Sequence, residues 1–367
     1  MEKIWLKIIK NKTNPIYWPI ILILWIASIL FRRGLWIHNL RSLGAVKTKA
    51  PVISVGNLTV GGSGKTPVTM EIARHFIQQG LKTAIVSSGY GRKSKEDFIG
   101  VGSDLQNMEA IKIGDEPKMM AELLPSALFS ISRSKSRAAS KVDIEYSPDI
   151  IIVDDGFQLR KLHRDFDLLV ADLETDLRHE SIFPLGRRRE PLSALKRANG
   201  LAVTKGNSKT VDDNYMSWLE GKFKNRPSTM AAYHNDEIVS NSEHIPVDRI
   251  RNSRTYFFAG IGNSLAFEKH IKATFPNIVY LRLFPDHFRY RQSDIKGIRK
   301  DLKSVKSPIR PLDGQESPEY IITTFKDYVK VRDFDFGLPL YYLNLRLELS
   351  PAAGKLFAEL DKILEKR

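Results

Sequence analysis

Between Val55 and Thr69 the chain reads VGNLTVGGSGKTPVT. Gly61, Gly62 and Gly64, with Ser63 among them, run into Lys65, Thr66 and Pro67. Glycines at this density let backbone N–H groups approach an anion. A lysine there neutralises neighbouring phosphates, and the threonine hydroxyl can ligate a divalent cation. The common form of such a loop begins with a glycine five places before the Gly-Lys-Thr, and that place is Thr59. Three glycines remain to make the turn, so Gly61 to Pro67 is read as a nucleotide-phosphate loop. The elements it needs are present. PVISV before it has the unbroken apolar character of a buried strand, and TPVTMEIARHFIQQG after it reads as a helix ended by Gly80.

A phosphate loop that uses a metal needs a carboxylate at the end of a neighbouring strand. PDIIIVDDG provides Asp154 and Asp155 in that position, leaving open which serves the metal. Asp115 and Glu116 in IGDEPKMMAELL stand just before Pro117, which is expected at the first helical position. Carboxylates there favour a helix dipole, and one of them could equally accept a proton from an acceptor hydroxyl. FPDHFRYRQSD adds His287 beside Asp286. Local chemistry leaves structural and catalytic readings of both stretches open.

These residues need a scaffold. KTAIVSS, PDIIIVDD, DFDLLVAD and GLAVTK read as further buried strands alternating with helices, the pattern of a parallel sheet covered on both faces. The expected fold is α/β: a P-loop NTPase-type domain over 37–225, a polar linker or hinge over 226–253, and a smaller α/β domain over 254–367. The strands of the last are TYFFAGIG, IVYLRLF, EYIITTF and LYYLNLRLEL. TKGN at 204–207 lacks the aspartate of a guanine-reading motif, so ATP is the expected nucleotide.

The chain has 367 residues, no cysteine and a formal charge of +15. Disulfides and thiolate metal sites are excluded, and an anionic partner is implied. IYWPIILILWIASILF over 16–31 carries no charge and is flanked by Lys3, Lys7, Lys10, Lys12, Arg32 and Arg33. Sixteen residues rise about 24 Å as a helix, against ~30 Å for a hydrocarbon core. Tyr17, Trp18, Trp25 and Trp36 suit the membrane interface. Residues 1–36 are therefore expected to anchor the protein to a membrane, by spanning it or lying in its surface. No aromatic-basic strand platform or helix-turn-helix supports a nucleic-acid partner.

VGNLTVGGSGKTP, SSGYGRKS, GDEP, DDGFQ, PLGRRREPLSALKRAN, FAGIGN, FPDHF and TTFKDYVK occur in that order. In this the chain resembles the tetraacyldisaccharide 4'-kinases, the lipid A 4'-kinases of outer-membrane bacteria, from about residue 50 to 330. Thr59 is that family's form of the loop. The resemblance implies transfer of the γ-phosphate of ATP, with Mg²⁺, to the 4'-hydroxyl of a tetraacylated glucosamine disaccharide 1-phosphate. The implied location is the cytoplasmic face of the inner membrane, in contact with its lipid. Carried onto matching positions, it implies Asp115 and His287 as a pair activating the hydroxyl, with Lys65 catalytic. It also implies Thr66, Asp154, Asp155 and Glu116 around magnesium, and Tyr90, Arg92, Arg133, Arg137 and Arg189 as substrate contacts. Leu159, where many members have histidine, and Phe325, where many have glutamate, depart from the pattern. The competing expectation is a membrane-tethered P-loop ATPase switch acting on a partner protein, which would give His287 and the second unit no role.

Overall fold

The computed structural model describes residues 2–40, 44–204, 212–240, 243–261, 264–304 and 318–365. Lys205, Gly206 and Asn207 of the base-reading argument, and Gly262 and Asn263 of FAGIGN, lie outside them. The described strands are β1 (Val52–Gly56), β2 (Thr83–Ser87), β3 (Phe98–Val101), β4 (Leu128–Ile131), β5 (Ile150–Asp154), β6 (Phe166–Asp172), β7 (Gly200–Thr204), β8 (Ser228–Val239), β9 (His244–Pro246), β10 (Thr255–Gly260), β11 (Ile278–Phe284), β12 (Tyr320–Thr324) and β13 (Leu340–Leu349). They form one sheet in the order β11-β10-β12-β13-β8-β7-β6-β1-β5-β2-β4-β3, with β9 paired to β8.

The central strands are parallel and wholly buried, as their apolar runs require. Successive residues feed opposite layers. Ile53, Val55, Ile85 and Ile152 join the core under the Lys65–Gln78 helix, while Val52, Ala84, Val86 and Val153 join the core on the other face. In the Lys65–Gln78 helix, Val68, Ile72, Ala73 and Phe76 recur at helical spacing and are fully buried. Each large side chain among them stabilises the helix by about 1.5–3 kcal/mol relative to exposure. Around β10 the alternation repeats: Phe257 and Ala259 face one core, Tyr256 and Phe258 the other.

Two expectations gain structural detail and a third is corrected. The stretch 226–253, expected as a linker or hinge, holds β8, twelve residues long, then β9 and a Val247–Ile250 helix. The first four residues of β8 pair in parallel with β7 and most of the strand pairs antiparallel with β13, so it is the seam of the sheet. The end of the chain also returns to the first half. Leu356, Leu360 and Ile363 of the Ala353–Glu365 helix share a core with Val68 and Phe76, and His75 stacks on Phe357 at 4.2 Å. Finally, the helix after GDEP spans Asp115–Leu123, so Pro117 lies inside its first turn, where a missing N–H costs nothing.

At the amino terminus a Glu2–Lys10 helix, a short 3-10 turn and a Trp18–Leu40 helix form a hairpin. Pro15–Ile37 is long and apolar enough to cross a membrane, and its apolar window is not buried in the protein. Helix geometry continues through Arg32 and Arg33, so the element is longer than the uncharged run alone.

Candidate active site

The phosphate loop is held from below. Gly64 caps the Lys65–Gln78 helix at φ 81°, and a Cβ there would lie 2.3 Å from the Tyr233 hydroxyl oxygen. Only glycine meets both conditions. Thr204 Oγ1 donates to the Ser63 carbonyl at 2.8 Å. Asn57 Nδ2 donates to Ser63 Oγ at 2.6 Å and to Thr59 Oγ1 at 3.2 Å. Thr59 is buried and bridged to Arg188, so at the place of the missing glycine a hydroxyl ties the loop down.

At the end of β5, next to β1, the two aspartates divide. Asp155 sits at φ 50° and receives both nitrogens of the Arg189 fork, at 2.8 and 3.0 Å, with Lys65 Nζ at 3.8 Å. Burial raises its pKa, but the Arg189 hydrogen bonds and charge, with Lys65 and Lys135, hold it well below the usual carboxylate range. Asp154 is buried and accepts from Thr69 Oγ1 at 3.1 Å. Burial and then Glu116 push it up to about 7. Lys135 Nζ donates to the carbonyls of both aspartates at 2.8 Å each, and burial lowers its pKa.

The fit to magnesium can be tested on these residues. Among the described residues no group of three His, Asp or Glu side chains could hold a metal alone. A buried carboxylate whose charge is opposed by desolvation and by Glu116 is nevertheless a site that a cation would relieve. The residues fit a metal that takes its remaining ligands from a nucleotide.

The other half of the site comes from GDEP and FPDHF. Gly114 packs against Gly89, so that a Cβ on Gly114 would lie 2.8 Å from the Gly89 Cα. This presses the GYGRKS loop onto the helix start that carries Asp115. Asp115 Oδ2 lies 3.1 Å from His287 Nδ1 and 2.7 Å from Lys330 Nζ. Burial raises the Asp115 pKa, yet the His287 hydrogen bond and the Lys330 charge leave it lowered, so it is ionised at neutral pH. His287 adopts φ 54°, in the left-handed region. Its backbone N donates to Asp286 Oδ1 at 2.9 Å, and Tyr90 meets its ring edge-to-face at 5.2 Å. Behind Lys330 stands Asp327, fully buried, which accepts from Gly260 N at 2.7 Å and Thr324 Oγ1 at 2.9 Å. Arg332 grips Glu122 through two bonds of 2.9 and 3.2 Å, and Arg289 donates to Gly91 O. The second half thus reaches the first through several charged contacts around Asp115.

The sequence and the fold match a family of known enzymes. The profile of the Tetraacyldisaccharide-1-P 4'-kinase family matches residues 20–365. The chain belongs to this family. A tetraacyldisaccharide 4'-kinase of Desulfotalea psychrophila is 31% identical over 327 residues, 88% of either chain. One of Francisella tularensis subsp. novicida is 29% identical over 95% of this chain and 99% of its own. A crystal structure of LpxK from Aquifex aeolicus in complex with ATP superposes with a TM-score of 0.72 at 29% identity, covering 92% of this chain and 97% of that one. The chain is accordingly a kinase with the family's α/β fold.

The residues expected from the family's pattern are gathered unequally in this member. Asp115 and His287 meet, as do Lys65 and Asp155. Arg189, expected on substrate, is instead clamped on Asp155 and Asn57. Arg92 is 8% exposed with Nε and Nη2 unpartnered, whereas Arg137 is mostly exposed and pairs with Asp97 at 2.9 Å. Sequence reasoning missed Lys135 and Lys330. Lys135 stands between the named Arg133 and Arg137, Lys330 ends the quoted TTFKDYVK, and a lysine on the buried side of a helix was the available signal. Of the departures, Leu159 packs against a core cluster, and Phe325 lies against Tyr342 at 4.5 Å while Lys326 still pairs with Asp286.

Proposed function

We propose that this kinase transfers the γ-phosphate of ATP to the 4'-hydroxyl of a tetraacylated glucosamine disaccharide 1-phosphate, at the cytoplasmic face of the inner membrane. The observation that carries the reading is the 3.1 Å contact between Asp115 and His287, made between two halves of one sheet. In this reading the backbone of Gly61–Gly64 and Lys65 would cradle the phosphates, and Thr66, Asp154 and Glu116 would hold Mg²⁺, which would supply charge neutralisation when bound. Asp155 is kept ionised by Arg189 and orients Lys65. Asp115 orients the acceptor hydroxyl and takes its proton late, when little basicity is needed because phosphoryl transfer is loose. His287 and Lys330 fix its carboxylate. Tyr90, Arg92 and Arg133 line the acceptor side. The exposed apolar helix keeps the enzyme beside acyl chains that never leave the bilayer.

The decisive experiment is transfer from labelled ATP to the purified disaccharide 1-phosphate, with the position of the new phosphate determined. Label at the 4'-position supports the reading. ATP turnover indifferent to the acceptor overturns it in favour of an ATPase switch.

A further inference from the structure

The stretch from Ser181 to Arg189 joins the amino-terminal hairpin to the phosphate loop. On one side it holds the hairpin. Trp5 Nε1 donates to the Pro184 carbonyl at 2.7 Å, Lys12 Nζ to Ser181 Oγ at 3.0 Å, and Ser28 Oγ to the Ile182 carbonyl at 3.0 Å. The Phe183 ring touches both helices, 5.8 Å from Trp5 and 5.4 Å from Phe31 between centroids. On the other side the same stretch is bonded to the loop. Val60 N donates to Arg187 O at 2.8 Å and Arg189 N to Leu58 O at 2.6 Å, about the Thr59–Arg188 bridge. Between these two sides it folds on itself, through Phe183 N to Arg188 O at 2.8 Å and Arg188 N to Ser181 O at 3.0 Å. Few residues separate a ring held by the hairpin from the guanidinium on Asp155.

We propose that this strap couples the two sites: seating of the hairpin on a lipid surface tightens nucleotide binding, with Phe183 as the positioning residue. Trp18, Leu22, Ile23 and Trp25 are each more than half exposed, so in water their apolar face has no solvent-excluding partner. Contacts to the strap, beside the neighbouring face of Glu174, Asp176 and Glu180, are then what orient the hairpin. Burial of that face among acyl chains restricts the hairpin, and through Phe183 it restricts the strap before the nucleotide arrives. Closing the loop on a nucleotide then costs less ordering entropy. Linkage requires the reverse as well: nucleotide strengthens lipid binding by the same factor. The inference rests on the phosphate-loop reading and is independent of the acceptor's identity.

The test is the equilibrium affinity of the full-length protein for Mg·ATP, without acceptor, in the absence and presence of phosphatidylethanolamine–phosphatidylglycerol vesicles. Vesicles are expected to tighten ATP binding by about fivefold or more. Phe183→Ala should lose most of that gain while still sedimenting with vesicles, since the exposed face is untouched, and Phe183→Leu should keep part of it. If Phe183→Ala fails to fold, Ser28→Ala, which removes one half-buried hydrogen bond, should show a partial loss. Vesicles without effect on the wild-type affinity, or an equal gain in the folded Phe183→Ala variant, overturn the coupling. Wild-type protein that binds no ATP in either condition brings down the phosphate loop itself, and the coupling with it.

Discussion

Adjacent aspartates at one strand end have opposite electrostatic environments, and this has a measurable consequence. Burial and Glu116 raise Asp154 to about 7, against ~3.9 in an unfolded chain. Without metal, the folded protein keeps a proton there that the unfolded chain releases. That contribution to stability is complete below about pH 4 and is lost as pH rises through 7. Asp154→Asn stays neutral and can still accept from Thr69. In chelator, its Tm should gain on wild type between pH 5 and 8, by about 2–5 °C, while Mg²⁺-dependent turnover collapses. A difference in Tm that does not change with pH would mean the site is not desolvated. The second residue-scale prediction concerns Asp115 and His287. Proton-transfer assistance is worth about 10²–10⁴-fold, so Asp115→Ala and His287→Ala should each lower kcat by roughly that factor with ATP affinity little changed. Because they act as a unit, the double variant should be little worse than the poorer single one. Multiplicative losses would separate them and return Asp115 to a helix-dipole role.

At the scale of elements, the phosphate loop depends on what β7 and β8 place beneath it. Gly64→Ala introduces a Cβ 2.3 Å from the Tyr233 hydroxyl oxygen and at φ 81°. It should raise KM for ATP about tenfold or more, roughly 1.4 kcal/mol of lost binding. Adding Tyr233→Phe removes the obstructing oxygen but not the backbone strain, so the double variant should recover part of that loss; no recovery would point to strain alone. Elements with unbroken apolar runs were legible in the sequence, since β1, β5, β6 and β10 carry no other pattern. The strand β8 was not. It is half-buried along most of its length and carries His234, Asn235, Asp236 and Glu237 in succession, residues that signal a loop when the partner strand is unseen. The site divides in the same way. The phosphate loop and Asp154–Asp155 are local in sequence and could be read there, whereas Lys330 gains meaning only from Asp115, far away in the chain.

At the scale of the whole molecule, the seam between β8 and β13 makes the two halves one sheet, and the last helix locks the arrangement by packing on the first half. Leu360 is fully buried there, so Leu360→Ala should cost about 2–5 kcal/mol. Amide exchange should accelerate first in the Lys65–Gln78 helix; acceleration confined to β10 and β12 would place that helix with the other half. This closure also dictates when the enzyme becomes competent during its own synthesis. The helix behind the phosphate loop leaves the ribosome well before the residues that cover its apolar face, Leu356, Leu360 and Ile363, which lie far later in the chain. The hairpin, by contrast, precedes every described strand and contributes no described residue to that core. During synthesis the phosphate loop is thus made well before the residues that complete the core beneath it, and a chain cut short before Leu356 carries the whole loop with that core left open.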